Sequence, residues 1–105
     1  MDDKNRLFSE LLRAFCNSLS TEGQQKGTVS VNKNNFRRMI SLIMAWDDIT
    51  SEELASEIGI SRRTIYSIMY SDSDTPFVQV RKKVLNKVIQ YVYDKSEVIE
   101  QSPIQ

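Results

Sequence analysis

The sequence predicts an all-α, compact helical domain, and three observations carry that prediction. Apolar residues recur at spacings of three and four over residues 3–19, 34–46 and the segment that ends near Tyr93. Two short helices around a single glycine are signalled between residues 49 and 70 by matching start signatures. Strand character is weak and confined to Thr28–Val31 and Phe77–Val80. A chain of 105 residues supports one domain with one modest core. Its expected organisation is an N-terminal helix and linker over 1–33, packed on or extending a central unit over 34–93, and a tail over 94–105.

Residues 3–19 read as an amphipathic helix, with Leu7, Phe8, Leu11, Leu12, Phe15, Cys16 and Leu19 in two adjacent apolar rows. So broad a stripe requires a cover, either the rest of the domain or a second subunit. Residues 20–33 form a linker with two glycines and little apolar content. Within it Thr28–Val31 alternates as a short strand does, which leaves room for a two-stranded contact with Phe77–Val80.

The next helix, about Asn34–Trp46, buries Phe36, Met39, Ile40 and Ile43. Arg37 and Arg38 fall on its solvated side, and Trp46 reads as a core anchor. Asp47 and Asp48 turn the chain. In the stretch that follows, Thr50 caps a helix with Glu53 reaching back, while Ile49 clasps Leu54 from outside. Gly59 ends that helix in the left-handed region. Ser61 caps the next one, with Ile60 clasping Ile65. After Tyr70 comes a loop carrying Asp72 and Asp74. Thr75 as cap and Pro76 at the first helical position predict a last long helix to about Tyr93, with Phe77, Val80, Val84, Leu85, Val88 and Val92 as its apolar stripe and Arg81, Lys82, Lys83 and Lys87 mostly outside it. The tail adds a helical turn at most, stops at Pro103, and frays.

Composition narrows the function classes. One cysteine rules out an internal disulfide, and Cys16 inside an apolar stripe reads as a small core residue. With no histidine, neither a zinc-finger cluster nor a histidine-based triad can be assembled. The glycines form no phosphate-cradling loop. The acidic pairs Asp47–Asp48 and Glu52–Glu53 straddle a turn and a helix start. The expectations are therefore no enzymatic activity, no cofactor or metal and no small-molecule substrate. The longest nearly continuous apolar run, Met39–Trp46, is too short to span a bilayer, and the N-terminus lacks a signal-type apolar core. No membrane partner and a cytoplasmic location are expected. Net charge is zero, with 14 basic and 14 acidic residues, and residues 34–93 hold eight basic against seven acidic side chains, 8 − 7 = +1. Affinity for a polyanion must then come from the placement of charge, because the sum supplies none.

That placement is unusual in the helix after Ser61. Arg62 and Arg63 put two cations in its first turn, at the positive end of the helix dipole, with no carboxylate in that turn. Such placement costs about 0.3–1 kcal/mol per exposed charge. At about 100° per residue, Arg62, Arg63, Tyr66, Ser67 and Tyr70 share one arc of about 140°. These are residue types that contact phosphates and base edges. Thr64, Ile65 and Ile68 point the other way.

Thr50, Glu53, Leu54, Ala55, Gly59, Ile60, Ser61, Thr64, Ile65 and Ile68 together resemble the lambda-repressor-like, Xre-type helix-turn-helix family. The resemblance extends more weakly over about Asn34–Tyr93, and the 3–19 helix lies outside it. It implies a sequence-specific double-stranded DNA-binding protein, most simply a small repressor-like transcriptional regulator, with the helix from Ser61 to Tyr70 in the major groove. Arg62 and Arg63 would meet guanine edges or phosphates, with Ser61, Thr64, Tyr66, Ser67 and Tyr70 beside them, and Thr50 and Ser51 would hold a phosphate. A homodimer reading two half-sites about 34–36 Å apart is expected, through the 3–19 helix or the 84–105 segment. The acidic 71–74 loop departs from the family, whose corresponding loop is often basic. The alternative is a protein-interaction module of the same fold, such as an antirepressor, an antitoxin or an accessory factor of plasmid or phage DNA processing, with weak or no DNA binding.

Overall fold

A computed structural model describes residues 3–19, 27–70 and 74–101. The described elements run α1 (Asp3–Asn17), β1 (Thr28–Asn32), α2 (Lys33–Asp47), α3 (Ser51–Ile58), α4 (Arg62–Met69), β2 (Phe77–Arg81) and α5 (Lys82–Gln101). The fold is mostly helical, and it contains a two-stranded antiparallel sheet that the all-α expectation lacked.

That sheet corrects the start of the last helix. Thr75 and Pro76 do not open α5; they form the bend before β2, where the Thr75 hydroxyl donates to the carbonyl of Phe77. Residues 77–81 pair with 28–32 in the register Thr28↔Arg81, Val29↔Val80, Ser30↔Gln79, Val31↔Val78 and Asn32↔Phe77. The reason is the two-residue alternation on both segments. Val29, Val31 and Val80 are buried on the inner face, and Ser30 and Gln79 bond to each other on the outer face at 2.6 Å. Phe77, expected in the helical stripe, is 43% exposed. β1 passes directly into α2 and β2 into α5, so the sheet ties together the two ends of the α2–α4 segment. The linker expected over 20–33 is thus strand from Thr28 and helix from Lys33, and its first part, 20–26, lies outside the described residues.

α2 starts where Asn32 accepts a hydrogen bond from the Asn35 amide at 3.0 Å, and it buries Phe36, Met39, Ile40 and Ile43. It ends on Asp48, which holds φ 53° and ψ 52°. Trp46 is not the core anchor expected. It is 40% exposed and tilts over the Phe8 ring of α1 at 4.5 Å between centroids.

α1 and α5 form the most extensive pairing between helices, and they run antiparallel. Leu12, Cys16 and Leu19 face the core, and burial pushes the Cys16 thiol pKa up. Asn5 donates to the Ile99 carbonyl at 3.0 Å. Arg13 bonds Glu100 through both nitrogens of its fork at 2.8 and 3.1 Å, and its Nε donates to the Ser96 hydroxyl. These contacts continue α5 through residue 94 to Gln101, well past the helix end near Tyr93 that the sequence suggests; residues 102–105, including Pro103, lie outside the described residues. The two apolar rows of α1 are covered unequally: Leu12 and Cys16 are buried and Phe8 partly so, whereas Leu7 and Leu11 are 67% and 42% exposed. No described helix is long and apolar enough to cross a membrane.

Candidate nucleic-acid interface

The pair α3 and α4 forms as its local chemistry dictates. Thr50 accepts from the Glu53 amide at 3.2 Å, and the Glu53 carboxylate accepts from the Thr50 amide at 3.1 Å, which completes the capping box. Gly59 has φ 89°, and its amide and that of Ile60 donate to the Ala55 carbonyl. Ser61 accepts from the Thr64 amide at 3.1 Å and opens α4. Ile65 and Ile68 anchor α4 in the core, while Ile49 and Ile60 pack against it from the turns.

A cation from a neighbouring helix meets the C-terminal end of each helix of the pair. Arg37 of α2 donates from Nε to the Ile68 carbonyl at 2.9 Å, a cation at the negative end of the helix dipole. Lys87 of α5 donates to the carbonyl of Gly59, the C-cap of α3, at 3.1 Å. Lys83 stands one turn before Lys87 on the same side of α5.

With its apolar face so held, α4 presents Arg62, Arg63, Tyr66, Ser67 and Tyr70 to solvent. Tyr66 and Tyr70 meet edge to face at 5.2 Å between centroids. Arg62 keeps 66% of its side chain exposed, lies 5.5 Å from the Tyr66 ring centre, and approaches the Glu52 carboxylate at 3.6 Å. That same Glu52 oxygen accepts from the Tyr66 hydroxyl at 2.9 Å. Arg63 is exposed, and among the described residues no ion pair holds it.

The other expected contacts divide. Ser61 and Thr64 share a hydroxyl–hydroxyl bond at 2.7 Å, and Ser67 donates to the Thr64 carbonyl at 2.8 Å. They line the flank of α4 that faces β2. Thr50 and Ser51 stand apart from the exposed arc: Ser51 is 6% exposed, and the hydroxyl of the exposed Thr50 donates to Glu53 at 3.1 Å. The N-terminal turn of α3 thus directs Glu52 and Glu53 outward and its serine inward. Of the acidic 71–74 loop, residues 71–73 lie outside the described residues.

Sequence reasoning missed two participants. Glu52, read only as a helix-start carboxylate, compensates the first turn of α4 from the neighbouring helix. Arg81, read as one side chain on a solvated helix, stands at the end of β2 beside α4. The basic run 81–83 was visible as a signal, and the misplaced helix start hid its position.

On the far side of the α3–α5 contact, Tyr91 donates to Glu57 at 2.8 Å, and burial and then that carboxylate push its phenol pKa well up. Among the described residues no group of three or more acidic or cysteine side chains is arranged to hold a metal ion. No family model, curated protein or solved structure matches the chain.

Proposed function

We propose that the protein is a sequence-specific double-stranded DNA-binding protein, a small transcriptional regulator in which α3 and α4 act as a helix-turn-helix and α4 enters the major groove. One observation carries the reading: α4 is held by its apolar face and by Arg37, and turns toward solvent an arc of two arginines, two tyrosines and a serine, with the Glu52 carboxylate of α3 against Arg62 and Tyr66. In the groove, Arg62 and Arg63 meet guanine edges or flanking phosphates, and Tyr66, Ser67 and Tyr70 make the adjacent contacts.

The homodimer expected for two half-sites has a candidate surface. A depression lined by Leu11, Phe15 and Leu42 together with Arg37, Arg38 and Ser41 lies beside the exposed Leu7 of α1, so ridge and hollow share one face, as a two-fold contact requires. Sedimentation of a strict monomer, both free and on DNA, would remove this part.

The test is selection of bound fragments from a random duplex library, followed by binding of the selected site by Arg62→Ala/Arg63→Ala. Each lost bidentate base contact is worth about 1–3 kcal/mol of discrimination. A double variant that stays folded and binds the selected site as well as the parent refutes the assignment.

A second reading is supported by the neutral net charge, by Glu52 occupying Arg62 and by the uncovered Leu7–Leu11 row. It is an interaction module of the antirepressor, antitoxin or accessory-factor kind, which has given up DNA. Salt separates the two readings, because affinity for random duplex must fall steeply with rising salt only if phosphates are contacted.

A further inference from the structure

We infer that a second DNA contact lies at the edge of the exposed arc: a slot between the flank of α4 and the end of β2 that seats one backbone phosphodiester. This inference rests on the DNA-binding reading and adds Gln79 and Arg81 of β2 to contacts that the sequence pattern assigned only to α3, α4 and their caps.

The slot is a half-open cavity of about 370 Å³, lined on one side by Ser61, Thr64 and Ser67 and on the other by Gln79 and Arg81, with Val80 and Val84 beneath. Its chemistry is that of an anion site without acids. The lining offers hydroxyls, an amide and a guanidinium, and no carboxylate. Ser67 already donates to the Thr64 carbonyl, but other donors are open to a ligand. Ser61 and Thr64 share one hydroxyl proton in their mutual bond, which leaves the second hydroxyl proton of the pair to point elsewhere. Arg81 is exposed, and among the described residues no ion pair holds it. Gln79 is fixed in place by Ser30 at 2.6 Å and Thr28 at 3.3 Å, so the wall is built before any ligand arrives.

Position selects the ligand class. The slot opens beside the N-terminal turn of α4, where the helix dipole is positive and where Lys87 of α5 reaches the Gly59 carbonyl just before that turn. A free phosphate would gain from the charge but leave part of the polar lining, which reaches from Ser61 to Ser67 on α4, uncovered. A strand bordering the groove occupied by α4 runs along it. Arg81 then clamps a phosphate whose register is set by the hydroxyls, a contact that positions without reading sequence.

The experiment compares the parent, Arg81→Gln and Arg81→Glu by fluorescence anisotropy on a random 20-base-pair duplex over a salt series, with Arg6→Gln on α1 as the remote control. Arg81 is exposed at a strand end, so both variants keep their fold, which circular dichroism melting checks. A lost phosphate contact lowers the magnitude of the log–log salt slope by about 1. We expect that loss in Arg81→Gln, a further drop in affinity in Arg81→Glu, an unchanged control, and duplex-induced amide shifts at Ser61, Thr64 and Gln79. Shifts produced equally by inorganic phosphate, with no slope change on duplex, overturn the assignment to DNA backbone. A parent with normal salt-dependent binding and an Arg81→Gln slope equal to its own overturns the slot while leaving the DNA reading intact. A parent with no salt-dependent binding overturns both.

Discussion

Glu52→Gln is expected to strengthen binding to DNA while slightly weakening the fold. The Glu52 carboxylate sits between Arg62 at 3.6 Å and the Tyr66 hydroxyl at 2.9 Å, on the face proposed to meet DNA. The ion pair is largely solvated, with 66% and 49% of the two side chains exposed. Pairs of that kind contribute about 0.2–1 kcal/mol, and duplex must displace this one to use Arg62 fully. Removing the charge therefore raises affinity for random duplex by about 1.4- to 5-fold, since 1.4 kcal/mol is tenfold. Glutamine keeps an oxygen to accept from Tyr66, so the ring stays placed. The cost falls on α3, whose first turn loses a carboxylate worth about 0.3–1 kcal/mol against the dipole, while the Thr50–Glu53 box remains. Anisotropy on random duplex at fixed salt gives the first quantity and urea denaturation the second. The decisive comparison is a cycle with Arg62→Ala. If the carboxylate acts by occupying Arg62, the gain shrinks in that background; an equal gain in both backgrounds, or weaker binding by Glu52→Gln, refutes the reasoning.

Two predictions concern how α1 is held. Leu12 is fully buried whereas its neighbour Leu11 is 42% exposed, so Leu12→Ala should cost about 2–5 kcal/mol in urea denaturation. Leu11→Ala in the dilute protein should stay within about 0.5 kcal/mol; reversed magnitudes would mean that α1 docks by its other row. Glu100, bonded by Arg13 and by the Ser9 hydroxyl at 2.7 Å, has its pKa held below the ordinary 4.5. A depressed carboxylate stabilises the fold above the unfolded value and loses that contribution as pH falls through the folded one. The melting-temperature gap between the parent and Glu100→Gln should be full at neutral pH and close in the acid range below 4.5, as differential scanning fluorimetry would show. A gap that widens on acidification contradicts the clamp.

Much of the candidate interface was legible because helix signals are local. The Thr50–Glu53 box, Gly59 in the left-handed region and the Ser61 cap each involve residues within four positions of one another, and all stand where the pattern places them. The same periodicity fixed which side of α4 is apolar, and so which side carries Arg62, Arg63, Tyr66, Ser67 and Tyr70. Ser51 escaped it because the first turn of α3 rotates that position inward.

What only the tertiary structure decided involves partners distant along the chain. Phe77–Arg81 carries helix and strand signals at once, and pairing with residues about fifty positions earlier resolves them, as the Thr28–Gln79 and Ser30–Gln79 bonds show. That pairing moves Arg81 from the middle of a helix to the rim of a slot. The cations at the start of α4 are uncompensated within their own turn, and it is the docking of α3 that brings Glu52 to Arg62. The sequence by itself determined which helices form and which faces they bury, since those depend on spacing along one chain segment. Where charges meet, and which apolar row of α1 stays uncovered, depends on how separate segments approach, and spacing carries no record of that.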